Sequence, residues 1–232
     1  AVFETDNTTD EYIALSKTGW TATAGSEETS GEDGAIGNAI DNNENTYWHS
    51  NWSGDGTQAT FGEDGQNNEY TIDFGKTVTI DKFEYVPRTT TKANGFITEY
   101  QILASQTADG DDFAEISRGV WHEDDGAAYT DTEKKFVVFD EAKSMRRIQI
   151  RAIHTNGSLG KDRYIHACEF NAYRKNPNYI PTNTTDEYIA FPKTGWRATA
   201  GSEETSGENG AIGNAIDNDE NTYWHSHWSG NG

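Results

Sequence analysis

The feature that most restricts this chain is a long internal repeat. Residues 7–56 recur as residues 183–232, shifted by 176 positions, with seven differences: Leu15/Phe191, Ser16/Pro192, Thr21/Arg197, Asp33/Asn209, Asn43/Asp219, Asn51/His227 and Asp55/Asn231. Solenoid units run to roughly 50 residues at most, so a period this long reads as duplication of a whole domain. The organisation that follows is a complete module over residues 1–174, a linker over 175–187 containing Pro177 and Pro181, and the N-terminal fragment of a second, nearly identical module over 188–232. The first copy is long enough for one domain with a sizeable core. The fragment is too short to fold alone.

Within the first copy, hydrophobic alternation marks strands at residues 69–74, 77–88, 96–105, 113–121, 135–139, 145–154 and 164–173, after a short strand and turn over 12–23. One helical turn is expected, around residues 35–40. Aromatic residues make up 12% of the chain, and Gly- and Asp-rich turns separate most of the strands. The expected fold is therefore all-β, a jelly-roll β-sandwich of about eight antiparallel strands.

Charge narrows the partners. With 39 acidic against 18 basic residues and a net charge of −21, the chain is a poor match for nucleic acid or an anionic membrane. No apolar run approaches the roughly 20 residues of a span, so no membrane insertion is expected. Cys168 is the single cysteine, which excludes an intrachain disulfide. The chain reads as a piece of a longer secreted or cell-surface protein, monomeric, with exchange of segment 188–232 between chains as an option.

The most ligand-like stretch is Gly34 to Ser50. Asp41 and Thr46 offer side-chain oxygens, Asn43 and Asn45 favour turns, and tight turns aim carbonyls inward, a combination that suits Ca²⁺. A helical EF-hand is excluded, because counting from Asp41 its sixth and twelfth positions require Gly and Glu and hold Thr46 and Trp52. Locally, the alternative is an Asx-rich surface turn. Recurrence of Asp41, Thr46 and His49 as Asp217, Thr222 and His225 favours a binding role.

That stretch, read as AIDNNENTYWHS at residues 39–50, is followed by YVPR at 85–88, NGFITEYQILAS at 94–105, GVW at 119–121 and ACEFNAY at 167–173. In this order the motifs resemble the coagulation factor five/eight type C, discoidin-like superfamily, and most of all its carbohydrate-binding module family 32. The resemblance implies a jelly-roll sandwich, one structural Ca²⁺ and a glycan site on loops at one end. For the cation it implies Asn38, Asp41, Asn43 and Thr46, closed from the last strand by Cys168 and Glu169. For a galactose-configured sugar, galactose or N-acetylgalactosamine, it implies His49, Arg88 and Asn94, with Glu84 orienting Arg88 and Trp121 as the stacking ring. An aromatic face against sugar C–H groups, with a few polar groups reading hydroxyl stereochemistry, is sound recognition chemistry.

Two other classes compete. A protein- or phospholipid-binding discoidin domain would present exposed apolar spikes over basic residues, whereas these loops are acidic or polar. A glycosidase needs two carboxyl groups flanking one bond, and no motif here specifies such a pair, so a non-catalytic module is expected.

Overall fold

The computed structural model describes residues 10–54, 58–90, 93–123, 127–179 and 192–229. The chain divides into two compact units, residues 1–180 and 181–232. Of the expected linker, residues 180–187 lie outside the described residues, as do the first nine residues of the first module.

The first unit is all-β among the described residues. Its strands are β1 Tyr12–Ala14, β2 Thr21–Ala24, β3 Trp48–His49, β4 Glu69–Val86, β5 Asn94–Ser105, β6 Ala114–Val120, β7 Lys135–Gly157, β8 His166–Ala167 and β9 Glu169–Lys175. The main sheet runs β1-β9-β4-β7-β5-β6 with β2 also on β4, and β3 pairs with β8. Every pairing is antiparallel. The expected helical turn is a 3₁₀ turn, Ile36–Ile40.

Three strand assignments differ from the sequence expectation, the first being that residues 164–173 divide into β8, paired with β3, and β9, in the main sheet. Residues 69–74 and 77–88 join into one long β4, and residues 135–139 and 145–154 into one long β7. The residues between them are not turns. β4 and β7 bend together, with register shifts between Asp73 and Val78 and between Ile80 and Lys82. Gly75, at φ +74° and with the Gly19 carbonyl lying where a Cβ would stand, supplies the bend. One half of β4 therefore pairs with β2 and the other with β9.

Inward residues of this folded sheet form one core. Trp48, Tyr70, Phe74, Phe83, Tyr85 and Phe170 are fully buried. Their rings pack in sequence, Trp48 on Tyr70 at 4.9 Å, Tyr70 on Phe170 at 4.8 Å and Phe170 on Tyr85 at 5.7 Å. Each such ring contributes about 1.5–3 kcal/mol by burial, and the chain of contacts ties β3, carrying the WHS motif, to the last strand.

The second unit, taken by itself, repeats the local structure of the first, without a sheet among its described residues. It keeps the 3₁₀ turn Ile212–Ile216 and the bridge between Glu204 and Gly210. Trp224, equivalent to buried Trp48, is 42% exposed.

Candidate binding site

Two groups of side chains converge on the loops that carry the sequence motifs. The first is built on the turn after the 3₁₀ segment. Asn42 adopts φ +65°, a left-handed conformation that Asn tolerates. Asp41 then accepts from the Asn43 N–H (2.8 Å) and the Thr46 hydroxyl (2.7 Å), and Thr46 also reaches the Asn43 carbonyl (2.7 Å). Asn218, Asp217, Asp219 and Thr222 repeat this geometry in the second unit, so the local sequence alone encodes the turn. Only the first unit adds the far wall, where Glu169 of β9 accepts from the Asn43 N–H (2.9 Å).

The structure therefore brings Asp41, Asn43, Thr46 and Glu169 together. Asn38 braces the same turn through its amide, which donates to the Asp33 and Tyr47 carbonyls. Cys168 is buried beside Glu169, its N–H on the Val86 carbonyl (2.8 Å), and burial pushes its thiol up to about 11. Among the described residues no group of three or more His, Cys, Asp and Glu side chains is arranged around a metal. The donor set here is instead two carboxylates, a hydroxyl and carbonyls, the hard-oxygen mixture that Ca²⁺ takes.

The surroundings fit a cation. The Lys17 ammonium, buried with its partner, pairs with Glu169. Burial lowers Lys17 to about 8, while Asp41, Glu84 and Glu44 oppose that fall. A positive charge is already seated among these carboxylates.

The second group surrounds His49. Its Nδ1–H donates to the Ser50 carbonyl (2.7 Å), leaving Nε2 as an acceptor, and burial lowers its pKa. Arg88 stacks its guanidinium on the Tyr47 ring, 3.9 Å from the centroid. Tyr164 and His166 flank the imidazole at 5.6 and 6.3 Å between ring centroids. Asn94 accepts through Oδ1 from the Ser158 hydroxyl (3.1 Å) and the Leu159 N–H (2.7 Å). Gly157 is obligatory there, since a Cβ would stand 2.4 Å from the Asn94 Cα.

Several members of this group were not legible beforehand. Glu32 accepts from the Tyr47 hydroxyl (2.6 Å) and the Trp52 indole N–H (2.9 Å). Trp52 lies over Gly31, where a Cβ would meet the ring at 2.5 Å, yet remains 39% exposed. It is a fixed, open aromatic surface. Glu28 anchors the same loop by accepting from the N–H groups of Ser30, Gly31, Trp52 and Ser53, and these bonds, that from Gly31 foremost, lower its carboxyl to about 2. The repeat preserves Glu32 and Trp52 as Glu208 and Trp228, but most neighbouring positions are equally preserved, so the signal was weak.

Two expected roles are corrected. Glu84 does not orient Arg88: it is buried and accepts from the Asn171 amide (2.9 Å) and the Tyr173 hydroxyl (2.8 Å). Alternation predicts a strand through Arg88, but β4 ends at Val86 and Pro87 breaks the period. Trp121 is not the open ring: it packs on the core between Tyr85 (5.5 Å) and Tyr100 (4.1 Å). A cavity of about 450 Å³ lined by Leu15, Trp20, Val78 and Arg174 has none of the His49 group in its wall.

A bent antiparallel sandwich with polar and aromatic side chains on its connecting loops defines a discoidin-like jelly roll. The F5/8 type C domain profile matches residues 21–170. The family 32 carbohydrate-binding module of NanJ from C. perfringens, solved with galactose, is 28% identical at a TM-score of 0.53, covering 70% of this chain and 99% of that one. A second Clostridium perfringens structure, CpGH89CBM32-5 solved with GalNAc-β-1,3-galactose, is 30% identical at a TM-score of 0.53, covering 69% of this chain and 99% of that one. The chain belongs to the F5/8 type C domain family and, within it, to the family 32 carbohydrate-binding modules. Among curated relatives, the A type blood N-acetyl-alpha-D-galactosamine deacetylase of Flavonifractor plautii is 25% identical over 180 residues, 78% of this chain. A sialidase of Micromonospora viridifaciens is 36% identical over 80 residues, 34% of this chain. The chain spans 21% and 11% of the lengths of these two proteins.

Proposed function

We propose that the first unit is a non-catalytic module that binds a terminal galactose or N-acetylgalactosamine through the His49 group, within a larger secreted bacterial protein that acts on or adheres to glycans. The observations that support this reading are that His49 and the open ring of Trp52 both lie against Glu32, that Arg88 stacks on Tyr47, whose hydroxyl also reaches Glu32, and that Asn94 is tied by its backbone to His166 beside His49. Neutral His49 accepts a hydrogen bond at Nε2, Arg88 donates from a guanidinium held flat on Tyr47, and Asn94, its carbonyl engaged, offers its amide. An acceptor beside donors reads a hydroxyl's position, while the open ring of Trp52 covers a C–H face. Relatives solved with galactose and with GalNAc-β-1,3-galactose support the sugar class.

In the same reading, Asp41, Thr46 and Glu169, with carbonyls from Asn38, Asn43 and Cys168, hold a structural Ca²⁺. A bound cation would add its charge where the early turn meets β9 and so brace the loop that presents His49. The test is binding of the whole chain to a panel of glycans, with reducing-sugar release followed alongside. Binding to galactosyl or N-acetylgalactosaminyl ends, lost in Arg88→Ala, is expected. Sugar release by the chain, or equal binding by Arg88→Ala, would overturn the reading.

A further inference from the structure

His166 carries one nitrogen with no task among the contacts already described. Its Nδ1–H donates to the Asn94 carbonyl (2.6 Å), which fixes the neutral tautomer and leaves a lone pair on Nε2. The side chain is fully buried, and Nε2 meets no donor among the described residues. Arg88 presents the complementary problem: its Nε–H is buried with no acceptor among them. The strand register brings the two residues side by side: Val86 pairs with Glu169 and the Cys168 N–H reaches the Val86 carbonyl (2.8 Å), so the chain beyond Val86 runs antiparallel past residues 166–168. Native proteins rarely leave such groups open, because an unmade buried hydrogen bond is expensive. A hydroxyl satisfies both at once, since its oxygen accepts while its hydrogen is donated.

We propose that Arg88 and His166 jointly hold a hydroxyl, accepting from Arg88 Nε–H and donating to His166 Nε2, and that His166 is thereby a specificity-determining residue of the sugar site. The hydroxyl belongs either to the sugar or to an ordered water beneath it. This inference rests on the galactose reading above. It also gives Nδ1 a separate duty, holding the Asn94 backbone from which the Asn94 amide is presented.

Two amide substitutions separate the duties. Asn places a polar group near the Nδ1 position and none at Nε2, whereas Gln reaches the Nε2 position. Galactose binding to the whole chain is measured by calorimetry for wild type, His166→Asn and His166→Gln, with melting temperatures as the control for folding. His166→Asn is expected to bind about five- to tenfold more weakly, the loss of one hydrogen bond, and His166→Gln, which restores the acceptor at Nε2 but not the bond to Asn94, to lose measurably less. Wild-type affinity in His166→Asn, or equal losses in both variants, would overturn the inference while leaving the galactose reading intact. Absence of wild-type binding would instead remove that reading.

Monodeoxygalactoses then identify the source. If the hydroxyl is the sugar's, one deoxy analogue weakens wild type but not His166→Asn. If it is water, all analogues are weakened equally by the substitution. Should His166→Asn fail to fold, the ¹⁵N shift of His166 Nε2 in galactose-bound wild type decides. A hydrogen-bonded acceptor supports the proposal, and a free lone pair refutes it.

Discussion

Replacing Asp41 by alanine separates the local turn from the cation it is proposed to hold. Without metal, the substitution removes the two hydrogen bonds from the Asn43 N–H and the Thr46 hydroxyl. On an exposed turn each is worth about 0.5–1.5 kcal/mol, so a loss of about 1–3 kcal/mol is expected in chelator. Calcium adds a second, concentration-dependent difference. Sites in extracellular modules hold Ca²⁺ at about 10⁻⁴–10⁻³ M. At a hundredfold excess over Kd, native-state binding contributes about 2.7 kcal/mol, which for a domain of this size is about 5–11 °C in melting temperature. Lys17 already neutralises Glu169 and must be displaced, so the shift should fall in the lower part of that range. The assay is calorimetric melting of wild type and Asp41→Ala in chelator and in about 10 mM CaCl₂, a hundredfold excess at the tighter end of that range. Wild type should shift and Asp41→Ala should not. An unmoved wild-type curve, with no metal by elemental analysis, would refute the cation assignment, as would an undiminished shift in Asp41→Ala.

Other expectations follow from the same geometry. Trp52→Ala should reduce galactose binding below detection with a small change in melting temperature, whereas Trp121→Ala should lower stability by about 2–4 kcal/mol while leaving residual binding measurable. The reverse pattern in denaturant melts and titrations would restore Trp121 as the platform. Gly31→Ala, which drives a methyl group into the Trp52 ring, should weaken binding without affecting the calcium response, checked by the same two assays. Acid should loosen the loop of residues 28–34. The Glu28 carboxyl is lowered to about 2 in the fold against about 4.3 unfolded, so its contribution is present above about pH 4.3 and is lost as pH falls toward 2. Melting temperature against pH should show this acid slope, and Glu28→Gln should flatten it.

The sequence was most informative where local chemistry suffices. The Asp41 turn is a clear case, because residues 217–222 form the same hydrogen bonds in the second unit with no Glu169 to receive them. Strand existence was legible from alternation, but not that β4 and β7 run unbroken through a bend, since a bulge and a turn both interrupt the period. Glu84 is expected to orient Arg88, four residues further along the same expected strand, but that strand ends at Val86 and Pro87 breaks its period. Trp121 and Trp52 are chemically alike, and which one faces solvent is decided by Tyr85 and Tyr100 packing on the first and by Glu32 holding the second. Such tertiary choices leave no mark in spacing. His166 was hidden for the same reason, as its significance lies in a nitrogen with no partner among the described residues.

The most direct test of the central claim is a galactose titration of the whole chain followed by ¹H–¹⁵N NMR. The account predicts shifts concentrated on the backbone or side-chain signals of His49, Trp52, Arg88 and Asn94, growing together with one dissociation constant, and none on exposed Phe136 or Val138 of β7. Saturable shifts confined to other loops, with His49 and Arg88 unmoved, would contradict it.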